Sequence, residues 1–158
     1  MNETYHYTDN EANFGPPIED EVPGGAHLTF DAICTMGGRL VTFRRPDGLH
    51  GAKKNALYFP HGLIRFGETV GECVQRLANE QGGGSRVERT RLYTMPSWVE
   101  DRHWHMCLNV IAYIDDIPVN TSEGVSEIVL VERGHSGSDF GWWTDDQLEA
   151  LFEFIDPR

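Results

Sequence analysis

Residues 59–84 read FPHGLIRFGETVGECVQRLANEQGGG, a loop carrying Pro60 and Gly62 that hands over to one amphipathic helix. Val70, Cys73, Val74, Leu77 and Ala78 recur at i, i+3, i+4, i+7 and i+8, the spacing of a single apolar stripe laid on a core. Glu68, Glu72, Arg76 and Glu80 follow another side of the same helix, spaced by four. The Gly82-Gly83-Gly84 run offers a residue free to take φ > 0, which ends the helix. Pairs such as Glu72–Arg76 and Arg76–Glu80 adorn any solvated helix for a few tenths of a kcal/mol each. Behind a loop of bare backbone, the same carboxylates and arginine suit a divalent cation and a phosphate, because hard cations want carbonyl and carboxylate oxygens.

At 158 residues the chain is expected to form one domain, with a polar, acidic extension over 1–25 and the folded part over 26–158. Its hydrophobic content is 39%, without a long apolar run, which argues against a membrane span. No basic-then-apolar leader is legible at the start, so the expected location is cytoplasmic. The net charge of −12 disfavours a nucleic-acid partner, whose phosphates need a basic patch. Lys53 and Lys54 are the only lysines. Acidity with scarce lysine is the pattern of a halophilic protein, since concentrated salt screens such self-repulsion. Cys34, Cys73 and Cys107 lack a Cys-x-x-Cys spacing and read as buried free thiols.

Around the helix the chain alternates like strands. Leu28, Phe30, Ala32, Cys34 and Met36 share one face, Gly37-Gly38 signals a hairpin, and 39–45 returns. Residues 87–99 form a further extended stretch. In 104–113, Trp104, Met106, Leu108, Val110 and Ala112 take one face, while His103, His105, Cys107, Asn109 and Ile111 take the other. A short strand is expected over 126–133. Thr144 with Gln147 then opens a last helix, burying Leu148, Leu151, Phe152 and Ile155. Strands around two helices make an α+β protein.

The 59–84 stretch resembles the Nudix signature: Gly62, Glu68, Arg76, Glu80 and Gly83 keep its spacings, and Phe59-Pro60-His61-Gly62 is similar to the family's Leu-Pro-Gly-Gly entry. Two acidic positions differ, with Leu77 after the arginine and Gln81 after Glu80. The resemblance implies an α-β-α sandwich with a mixed sheet, one central helix and one C-terminal helix. It also implies a Mg²⁺ (or Mn²⁺) ion held by Glu80, Gln81 and the backbone at Gly62, with Arg76 and Glu68 paired to orient the ligands. With one carboxylate, a single ion arriving with its substrate is expected. Nudix relatives often dimerise, so a homodimer is a further expectation.

The Arg-Leu pair is similar to that of the GDP-mannose mannosyl hydrolases, a Nudix branch that cleaves at the sugar carbon. Asp31, the Arg44-Arg45 pair, His105 and Trp142-Trp143-Thr144 share in this likeness. The implied activity is hydrolysis of a nucleoside diphosphate joined to another group, nucleotide sugars ahead of dinucleotides. Glu80, Arg76, Glu68 and His135 are the catalytic candidates, with Asp139 as a second possible base in place of His135. Arg44, Arg45, Asp31, His105 and Phe59 are candidates for binding substrate, the arginines as a diphosphate clamp and Phe59 or Trp98 against the base. The rival expectation is a non-catalytic domain that binds a nucleotide or metabolite, as the missing glutamates suggest. His103 and His105, two apart on a strand, have the spacing of a metal pair but no third ligand nearby in sequence.

Overall fold

The computed structural model describes residues 26–156; the expected N-terminal extension lies outside them. Eight strands and two helices follow in order: β1 Ala26–Met36, β2 Arg39–Arg45, β3 Ala56–Tyr58, β4 His61–Leu63, α1 Val70–Gln81, β5 Val87–Thr94, β6 Ser97–Glu100, β7 His103–Ile114, β8 Glu127–Val131 and α2 Asp145–Ile155. The strands join in one mixed sheet whose main path is β3-β2-β1-β7-β5.

Strand β1 organises that sheet. It turns into β2 through Gly37 and Gly38, both at positive φ (59° and 73°), the backbone a two-residue hairpin needs. Along one side it pairs in parallel with β7, from Ala26↔Trp104 to Thr35↔Tyr113. On its other side it takes β4 antiparallel, with Asp31 opposite His61. Strands β5 and β6 both pair with β7, one after the other. The single stretch expected over 87–99 is therefore two strands, broken at Met95-Pro96, because proline has no N–H to give a ladder.

The period-two pattern sorts side chains into two cores. Phe30, Ala32, Cys34, Val110 and Ala112 meet Cys73, Val74 and Leu77 of α1. Ile33, Leu40, Ile111 and Val131 meet Leu148, Leu151 and Phe152 of α2 on the opposite face. The result is the expected α-β-α layering. Each fully buried Leu or Val contributes roughly 1.5–3 kcal/mol, enough to hold short helices to the sheet. Val70 departs from the expected stripe: at the first position of α1 it remains 40% exposed.

Both helices start with a capping box. Thr144 and Gln147 form the one expected from sequence, and Thr69 with Glu72 forms another at α1. Helix α1 ends where Gly82 N–H returns to the Ala78 carbonyl, and Gly83 then takes φ +74°. A Cβ at Gly83 would lie 2.5 Å from Pro118, so the turn also needs glycine for space.

Candidate active site

The pairings of β1 decide what meets in the centre. Asp31 alternates away from Phe30 and Ala32, onto the face that Cys107 and Asn109 share on β7. His61 lies opposite Asp31 on β4, so its side chain rises from the same face. These residues line a cleft of about 1380 Å³ running from His50 and Arg45 past Asp31 and His61 to Tyr93 and Trp98.

Within it His61 Nδ1 stands 2.6 Å from Asp31 Oδ1, and Trp142 Nε1–H donates to Asp31 Oδ2 at 3.2 Å. Asp31 is only 3% exposed. A buried carboxylate fixed on both oxygens holds the imidazole in one orientation and favours the Nδ1–H tautomer. That leaves Nε2 as the atom able to take a proton. Trp142 owes its place to two neighbours. Its ring packs edge-on to Tyr58 at 4.9 Å, and Gly141 lies so close to Tyr58 that a Cβ there would be 2.1 Å from the ring.

Arg45 is the notable cation of the cleft. It forms no ion pair among the described residues, and its Nε is buried without a hydrogen-bond partner. His50, nearby, is held below its ordinary pKa by burial first, then by His61 and Arg45. At the far end Trp98 stacks on His105, ring centroids 5.3 Å apart. Cys107 faces Asn109 Oδ1 at 3.6 Å, and burial pushes its thiol up to about 11, with Asp31 adding to the effect.

The signature residues themselves form an ion-pair network. Arg76 binds Glu68 through Nε (2.5 Å) and Nη2 (2.9 Å), and also reaches Glu80 at 3.3 Å. Hydrogen bonding to Arg76 brings Glu68 down to about 2. Arg65 takes the other oxygen of Glu80 at 3.1 Å. Two carboxylates thus face two guanidiniums. Gln81 is also engaged: His61 N–H donates to its Oε1 at 2.9 Å, and its Nε2–H donates to the His61 carbonyl at 2.7 Å. Gly62 closes down on the helix, since a Cβ there would meet Leu77 at 2.9 Å. Thus Glu80, Gln81 and Gly62, expected to hold Mg²⁺, are each engaged in contacts within the protein. The glutamine amide and the leucine have turned that corner of the signature into hydrogen bonding and packing.

Several other expected site residues lie elsewhere. Arg44 is paired with Glu127 (2.9 Å) and Asp139 (3.0 Å), donates to the Asn55 carbonyl (3.1 Å), and does not line the cleft. His135 bonds Asp139 at 3.2 Å and lines a second, smaller depression beside α2. Asp139 is tied to both Arg44 and His135. Phe59 is 2% exposed and packs between Phe140 and Trp143, so it stacks no base. His103 is exposed, and its ring centroid is 6.5 Å from that of His105. Asp31, Arg45 and His105 do line the cleft. What sequence reasoning missed is the His61 side chain. The signal was a titratable residue standing where the resembling loop has glycine.

No family model and no curated protein matches the chain. Solved structures do. A MutT Nudix hydrolase from Burkholderia pseudomallei matches at TM-score 0.64 and 16% identity, covering 80% of this chain and 98% of that one. A pyrophosphohydrolase from Bacillus subtilis matches at TM-score 0.63 and 16% identity, covering 84% and 85%. A Nudix hydrolase from Nitrosomonas europaea gives 0.61 and 11%, covering 82% and 88%. At such identities the likeness is one of fold.

Proposed function

We propose that this chain, which has the Nudix fold, hydrolyses a nucleoside diphosphate linked to a second group, a nucleotide sugar ahead of a dinucleotide, using His61 and Asp31. The observation that carries the reading is the Asp31–His61 pair, 2.6 Å apart on the cleft wall where the signature loop enters α1. Asp31 accepts a hydrogen bond from Nδ1–H and, steadied by Trp142, stabilises the imidazolium that forms when Nε2 accepts a proton from water. The new hydroxide oxygen bonds to the anomeric carbon, the bond from that carbon to the diphosphate oxygen breaks, and the nucleoside diphosphate leaves. Arg45 supplies the positive charge for that leaving group, and Trp98 offers a ring face to a base. Nudix hydrolases generally use divalent metals. In this chain a cation riding on the diphosphate oxygens belongs with the substrate, since Glu80 is already shared by two arginines.

A positioned general base contributes typically 10²–10⁴-fold. His61→Ala is therefore expected to lower kcat at least ~100-fold on the best substrate of a nucleotide-sugar panel, whereas Glu80→Gln retains most of its rate. Hydrolysis in ¹⁸O-water should label the sugar, not the phosphate. A His61→Ala protein as fast as the parent refutes the assignment. The neutralised network around Glu80 favours a second reading, a domain that binds a nucleotide without turning it over. Unchanged affinity by calorimetry, with no hydrolysis by the parent, would identify it.

A further inference from the structure

The Asp31–His61 pair has a third neighbour. A carboxylate oxygen of Asp31, a ring nitrogen of His61 and Cys107 Sγ all lie within 4.8 Å of one another. They come from three adjacent strands, β4, β1 and β7, so their spacing is set by sheet registers and not by a loop. From this geometry we propose that Asp31, His61 and Cys107 form a binding site for a thiophilic divalent cation, Zn²⁺ by preference.

The donor set selects the metal. Magnesium wants only oxygen, while one thiolate, one imidazole and one carboxylate suit zinc. Zinc bonds of about 2.0–2.3 Å put neighbouring donor atoms roughly 3–4 Å apart, so donors already gathered within 4.8 Å, with Asp31 and His61 at 2.6 Å, need only small side-chain shifts to take a metal. Three protein ligands with the fourth position opening on the cleft is the pattern of a zinc site that admits water or a substrate oxygen. The surroundings are prepared as well: Trp142 holds the other Asp31 oxygen, and Asn109, beside Cys107, is fixed by Thr94 at 2.8 Å. On binding, the Cys107 S–H proton is released and the metal takes its place. The imidazole proton moves from Nδ1 to Nε2, freeing Nδ1 as the ligand. Such binding needs no nucleotide, and because it places the proton on Nε2 it takes His61 out of service as a base while the metal is bound.

The test is a titration of chelator-treated protein with Co²⁺, followed by Zn²⁺. One equivalent of Co²⁺ should raise a thiolate-to-cobalt charge-transfer band in the near ultraviolet, and one equivalent of Zn²⁺ should abolish it. Cys107→Ser should remove the band, and His61→Asn should weaken binding at least ~10-fold, the scale of a lost ligand contact. In the unmodified chain, Zn²⁺ should slow alkylation of Cys107, mapped by peptide mass, which needs no variant to fold. A parent protein without the band overturns the proposal. So does a band that survives in Cys107→Ser, or alkylation of Cys107 that ignores Zn²⁺. Turnover by protein that shows no cobalt band refutes the metal site and leaves the hydrolase reading intact. A band in protein whose metal-free form shows no turnover does the opposite.

Discussion

Gln81→Glu tests how the Gln81 amide holds the signature loop to α1. In the native chain the amide serves His61 twice, accepting from its N–H at 2.9 Å and donating to its carbonyl at 2.7 Å. A carboxylate can only accept. The first bond survives, while the second becomes two acceptor oxygens facing each other at contact distance. Leaving a half-buried carbonyl without its donor costs about 1–3 kcal/mol. For a domain of this size each kcal/mol moves Tm by about 2–4 °C, so a fall of roughly 2–12 °C is expected in EDTA. Millimolar Mg²⁺ should recover much of the loss, because the new carboxylate and the carbonyl then share a cation that binds only the folded state. The parent, with its amide in place, should show little response to Mg²⁺. Differential scanning calorimetry of both proteins, with and without Mg²⁺, measures all four values. A variant as stable as the parent in EDTA, or a parent that gains as much from Mg²⁺ as the variant, refutes the reasoning.

Leu77→Ala should lower stability by about 2–5 kcal/mol, read from the urea midpoint, because Leu77 is 1% exposed and packs beneath Gly62. Acid should weaken the fold in a defined window. Glu68 is held near 2 by Arg76, below its ordinary value of 4.5, so its contribution is present above about pH 4.5 and disappears as pH falls toward 2. Glu68→Gln should flatten the Tm–pH curve over that window, and an unchanged slope would show that the pair adds nothing. With a net charge of −12, thermal stability should also rise from low salt to molar KCl, and a flat Tm would remove the halophilic reading.

The layers of this fold were legible because periodicity is a local property. The α1 stripe, the two faces of β7 and the Thr144–Gln147 box each need only a dozen residues of sequence. The cleft was harder to read. Asp31 and His61 meet through a pairing between an eleven-residue strand and one of three residues, too short to show alternation. Trp142 joins them from 111 positions away. The charged candidates were hard to rank for a related reason: sequence shows that Arg44 and Arg45 are cations, but not that Glu127 and Asp139 pair with one and leave the other. Phe59 was misplaced because an aromatic before a proline loop reads equally well as lining or as core.

Gly141 has no functional group, yet it sets the aim of the indole that grips Asp31. Even one methyl there would collide with the Tyr58 ring and lever the 140–142 segment outward. A saturation screen scored on turnover should therefore flag this position beside the dyad, though nothing in its chemistry marks it out. Enzymes drift most freely where side chains are unconstrained, and here the narrowest passage lies at a residue without one.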